Sequence, residues 1–137
     1  MKKILVPIDG SEYSVRALNK AKELGEFYKA EITLLTVIYS GRFENFELQK
    51  EVINSEEKAG QKLLLEASKV LEGYPYGFKT TSRLGDTANE IISVAEKNDF
   101  DLIVLGSRGL GVFSRALLGG VSQKVVTHAN TSVMVVK

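Results

Sequence analysis

The stretch Asp101-Leu102-Ile103-Val104-Leu105-Gly106-Ser107-Arg108-Gly109 decides the fold. Four apolar residues follow one another without a polar break, then the chain turns abruptly glycine-rich. A strand that alternates apolar and polar keeps one face in water; an unbroken run is buried on both faces, as in a parallel sheet with helices above and below. The same pattern stands at the amino end, where Lys3 to Ile8 is apolar and branched and Asp9-Gly10-Ser11 closes it as a turn. Pro7 cannot donate a ladder hydrogen bond, so regular pairing is expected to end near it.

Between these strands the periodicity switches from two to 3.6. Ser11 is placed to cap a helix with Glu12 in its first turn. That helix runs to about 25–29, with Ala17, Leu18, Ala21, Leu24 and Tyr28 on one face. Glu31 to Ile38 reads as a second strand and Gly41 to Asn45 as a polar break. A long helical pattern follows to about Glu72; Gly60 weakens it by about 1 kcal/mol relative to Ala, so a bend or break is expected there. Tyr76 to Arg83 alternates like a half-exposed strand. Thr87 and Glu90 have the spacing of a capping box opening a helix with Ile91, Ile92 and Ala95. Val121 to Ala129 reads as the last helix and Ser132 to Lys137 as the last strand.

Strands and helices therefore alternate through one domain, residues 1–137, with no repeat or linker. Right-handed crossovers make this a doubly wound α/β sheet of five parallel strands, order 3-2-1-4-5, of Rossmann-like type. At 137 residues, one core suffices. The absence of cysteine excludes disulfides, thiolate metal sites and cysteine catalysis. With 18 basic and 17 acidic residues and no basic run, the footprint of a nucleic-acid binder is missing. The opening apolar stretch is too short for a signal segment and no run suffices to span a membrane, so a cytoplasmic protein is expected.

In an open α/β sheet ligands sit beyond the carboxyl ends of the strands, where strand order reverses. Here that point lies between strands one and four. Pro7-Ile8-Asp9-Gly10-Ser11 meets Leu105-Gly106-Ser107-Arg108-Gly109-Leu110-Gly111, which runs on to Gly119-Gly120-Val121-Ser122. Glycines let backbone amides approach an anion, and a helix opening at Gly119-Gly120 directs free N–H groups at it. Arg108 and Arg115 could add positive charge, or be solvated loop arginines. The cradle is not a P-loop, since Val112-Phe113 follows Gly111 in place of Lys-Ser/Thr, and the first strand lacks the G-x-G-x-x-G of dinucleotide sites. Asp9 could meet a ligand or cap the next helix, and Ser122 is equally a cap. His128, the one histidine, falls near the end of the last helix, where the dipole favours a cation. No G-x-S-x-G occurs, and no catalytic residue is assigned. Glu44, Glu47 and Glu51 read as a solvated helix face.

The spacing Gly106-x2-Gly109-x9-Gly119 resembles the nucleotide motif of the universal stress protein family. The resemblance extends over the whole chain, through Ile4 to Ser11, Leu35-Thr36-Val37 and the closing Ser132 to Lys137. It implies an adenine-nucleotide, ATP-binding cytoplasmic protein, usually a homodimer, linked to stress survival. By the same resemblance Pro7, Asp9 and Val37 would hold adenine and ribose, with Gly106 and Gly109 along ribose and phosphates; Ile8 and Arg108 stand beside them as further nucleotide-binding candidates. Gly119, Gly120, Val121 and Ser122 would offer amides and a hydroxyl to the phosphates. Mg²⁺ or Mn²⁺ would ride on those phosphates, without a protein cage. The family motif continues Gly-Ser/Thr, whereas Gly120 stands here. One donor to a charged group is thereby lost, worth about 1.5–3 kcal/mol, or roughly 10- to 150-fold in affinity. The alternatives are a nucleotide-free interaction module of the same fold and a hydrolase; no general base is placed, so hydrolysis should be slow at most. Val133 to Val136 is apolar on both faces. As a sheet edge without blunting Pro or Lys before Lys137, residues 132–137 are expected to pair with a second copy.

Overall fold

The computed structural model describes residues 1–39, 46–109 and 118–137. The expected polar break at 41–45, Glu44 and Arg115 lie outside the described residues. The order is β1 (Lys3–Pro7), α1 (Glu12–Tyr28), β2 (Glu31–Ile38), α2 (Phe46–Val70), β3 (Phe78–Leu84), α3 (Thr87–Lys97), β4 (Leu102–Gly106), α4 (Gly120–His128) and β5 (Ser132–Val136). All pairings are parallel, and the sheet order is β3-β2-β1-β4-β5, as the alternation implied.

Strand parity divides the core in two. Ile4, Val6, Ile8, Ile32, Leu34, Leu102 and Val104 face one side, under Ala17, Leu18 and Ala21 of α1 and Leu64 of α2. Leu5, Leu35, Ile103 and Leu105 face the other, under Ile91, Val94 and Ala95 of α3 and Val125 of α4. This is why the runs at 4–8 and 102–105 carry no polar residue: each neighbour in sequence belongs to a different buried layer. Burying one such side chain stabilises the fold by about 1.5–3 kcal/mol. Pro7 is the last residue of β1, and the Ile8 N–H donates to Leu35 O across the strand end at 2.7 Å.

The structure corrects four expectations. Helix α2 runs through Gly60 without a break. Gly60 is buried against β2, where an added Cβ would lie 3.2 Å from Thr36 Cγ2, so it serves close packing of helix on sheet. Tyr28 does not join the apolar face of α1; it is 47% exposed and meets Phe27 edge-to-face. The cap of α3 is Asp86, not Thr87: the Asp86 carboxylate accepts from Asn89 N at 3.0 Å and Thr87 is the first helical residue. Strand β3 begins at Phe78, two residues later than expected, after a turn with Gly77 at φ 83°.

Candidate functional site

Strands β1, β2 and β4 end on the same edge of the sheet, and the turns after β1 and β4 are built to leave room. After β1, Gly10 takes φ 85°, a left-handed value that suits glycine. Asp9 Oδ1 accepts from Ser11 N at 2.8 Å and locks that turn. Ser11 then caps α1, its Oγ accepting from Ser14 N at 3.1 Å. After β4, Gly106 packs against the first turn of α1; a Cβ there would come within 2.7 Å of Tyr13 Cβ and 2.8 Å of its carbonyl carbon. A Cβ on Gly109 would fall 2.5 Å from Asp9 Oδ2. The two turns are therefore in close apposition; the Tyr13 backbone requires glycine at 106, whereas a Cβ at 109 would meet only the end of the Asp9 side chain.

The space between them is a cavity of about 280 Å³. Its walls hold Pro7, Ile8 and Asp9 from the β1 exit, Val37 from β2, Gly106, Arg108 and Gly109 from the β4 exit, and Gly119, Gly120, Val121 and Ser122 from the start of α4. Every site residue named from the sequence that falls among the described ones lines this cavity. Leu105, at the head of the glycine segment, lines it as well, as do Leu35, Ser14, Thr87 and Ile91, which the sequence reading did not assign to the site. Thr87 and Ile91 are one turn apart in the first half of α3. Their signal was available: α3 follows β3, so its amino end must lie at the carboxyl edge of the sheet.

The cavity lining combines apolar side chains, Pro7, Ile8, Leu35, Val37, Ile91 and Leu105, with polar groups at Asp9, Arg108 and the α4 amino end. Each helix follows a parallel strand and begins on this side of the sheet; α1 and α3 have side-chain caps, Ser11 and Asp86. Helix α4 has Gly119 at its N-cap, with no side-chain cap and no acidic residue in its first turn. Its dipole and first-turn amides thus present positive potential to the cavity. Asp86 sits nearby, held below the usual carboxylate range by the Asn89 amide and by Lys124 of α4 at 3.3 Å.

Ser122 is 2% exposed; its Oγ donates to Ser107 O at 2.8 Å and lies 3.0 Å from Gly119 O. His128 closes α4, exposed and outside the cavity lining. Among the described residues, no group of three or more His, Asp or Glu side chains could hold a metal ion. Also among them, no helix is long and apolar enough to cross a membrane.

A doubly wound five-stranded parallel sheet with a glycine-lined crevice at the reversal of strand order defines the class. Within it, the universal stress protein family model matches residues 1–137, and the chain belongs to that family. Universal stress protein MJ0531 of Methanocaldococcus jannaschii is 34% identical, with 99% of this chain and 82% of that protein covered. The solved structure of MJ0577, from the same organism, is 33% identical, covers 99% of this chain and 95% of that one, and superposes with a TM-score of 0.88. UspA from Lactobacillus plantarum superposes at 0.92 with 24% identity over 99% and 97% of the two chains, a likeness of fold. Two further family structures, at 23% and 22% identity, hold AMP (from Arabidopsis thaliana) and cAMP, with TM-scores of 0.74 and 0.79.

Proposed function

We propose that the chain binds an adenine nucleotide, ATP, in the crevice between the β1 and β4 exits, and acts as a dimeric sensor or regulator of a cytoplasmic stress response. The observation that carries this reading is the convergence of an apolar slot and an uncapped helix terminus in one cavity. A flat apolar base with a charged tail needs both, side by side. Pro7, Ile8, Leu35, Val37 and Leu105 form the walls for adenine and ribose, and Asp9 stands beside them as hydrogen-bond acceptor. The amides of Gly120, Val121 and Ser122, with Gly109 and Arg108, face the phosphates. The family structures with AMP and cAMP support an adenine ligand for this fold. A divalent cation would be held through the phosphates. Hydrolysis is slow at most in this reading: Asp9 is the one carboxylate among the described lining residues, and Ser11 N already bonds its Oδ1.

The edge position of β5, whose Val133 to Val136 are half-buried in a single chain, supports pairing with a second copy. One observation favours a second reading, a nucleotide-free interaction module: Gly120 offers no side-chain donor. Mass spectrometry of the natively purified protein should find an adenine nucleotide released on denaturation. An empty protein that also gives no calorimetric response to ATP or AMP would favour the interaction module. A Cβ at Gly120 would meet nothing within 4 Å, so Gly120→Ser should restore the hydroxyl and tighten ATP binding. Unchanged affinity would show that hydroxyl to be irrelevant.

A further inference from the structure

We infer that Ser122 is a positioning residue of the crevice: its hydroxyl fastens the two glycine segments to each other and is not a phosphate ligand. The inference rests on the nucleotide reading above and assigns this side chain within it.

Ser107 O is the hub. It accepts from Gly119 N at 2.6 Å and from Ser122 Oγ at 2.8 Å. Ser107 directly follows β4, and Gly119 is the N-cap of α4, so both ends of the segment between them are tied to one carbonyl oxygen. Ser107 N in turn donates to Val136 O of β5 at 2.8 Å, which fixes the hub to the sheet. Ser107 and Ser122 are each 2% exposed, so these bonds are shielded from competing water.

A serine hydroxyl has one proton. Here two carbonyl oxygens, of Ser107 and Gly119, already lie within 3.0 Å of Ser122 Oγ. A phosphate oxygen could gain that proton only by breaking the hydroxyl's bond to these carbonyls, which would keep just their backbone donors, Gly119 N on Ser107 O and Gln123 N on Gly119 O. The geometry therefore gives the hydroxyl to the scaffold and leaves the amides to the ligand. Its effect is preorganisation: the first-turn amides of α4 stand at a fixed place relative to Gly109 before any ligand arrives.

The test uses the full chain with Ser122→Ala and Ser122→Thr, the latter keeping an Oγ. Residue-resolved hydrogen exchange on nucleotide-free protein reads the clamp directly. In Ser122→Ala the Gly119 and Ser107 amides should exchange about tenfold faster relative to those of Leu5 and Val6, and Ser122→Thr should return them toward wild type. AMP, ADP and ATP should all lose affinity by the same factor, about tenfold. Unchanged Gly119 exchange in Ser122→Ala, with an affinity loss that grows with phosphate number, would overturn the proposal and make the hydroxyl a ligand. Wild-type protein that binds none of the three nucleotides would instead sink the nucleotide reading, and the exchange rates would still decide the clamp.

Discussion

At Gly109 a single methyl group would meet Asp9 Oδ2 at 2.5 Å, while the surrounding cavity stays open. Gly109→Val should therefore push a side chain into the ligand's space and displace only the end of a flexible carboxylate. Calorimetry should record at least about a tenfold loss of ATP affinity, from an overpacking cost of about 1–3 kcal/mol, with little change in melting temperature. Equal affinity would place the ligand elsewhere. Asp101 illustrates a residue whose work is structural. The amides of Lys2 and Lys3 donate to its Oδ2 at 2.8 and 2.9 Å and hold its carboxyl below the usual 3.8. A carboxylate lowered by folding stabilises the protein above its unfolded pKa, and loses that contribution as pH falls through the folded value. Asp101→Asn should thus melt below wild type at neutral pH, and the gap should close under acid. A gap that persists unchanged to acid pH would mean the charge is irrelevant. At this scale the sequence was legible where glycine spacing marked the site. Gly106 was read as ligand-lining, yet only the fold shows that Tyr13 also requires it.

Helix ends show how local patterns can be off by one. Asp86-Thr87-x-Asn89-Glu90 offers two overlapping caps, Asp86 to the Asn89 amide and Thr87 to Glu90. The structure chooses Asp86, which also reaches Lys124 on α4. Asp86→Ala should cost about 1 kcal/mol, or roughly 3 °C in melting temperature. Thr87→Ala should cost clearly less; the reverse order would reinstate Thr87 as the cap. Gly60 and Tyr28 failed for the same reason: propensity and periodicity describe a helix alone. Whether a glycine is a weak point or a contact, and whether the last turn has a sheet beneath it, depends on the neighbouring layer.

The whole fold was legible because each apolar run has one explanation, burial on both faces. Strand order followed from where the glycine turns stand. The cavity's third wall, Thr87 and Ile91, follows only once α3 is placed after β3 at the carboxyl edge of the sheet, a step that residue patterns alone do not prompt. The open β5 edge belongs to this scale too. Val136 O faces β4, so by alternation the N–H groups of Val133 and Val135 face outward. Light scattering should give the mass of two chains for wild type and of one for Val135→Pro, which removes an outward donor. A monomeric wild type would end the edge-pairing proposal.

The central claim, that apolar slot and helix terminus hold one nucleotide together, can be read residue by residue. In an amide NMR titration with ATP, shifts should concentrate at Asp9, Val37, Gly109 and Gly120 to Ser122, with adenosine moving the first group and leaving the α4 amides nearly still. Saturating ATP that left these amides unmoved, or shifted residues on another face of the sheet, would contradict it.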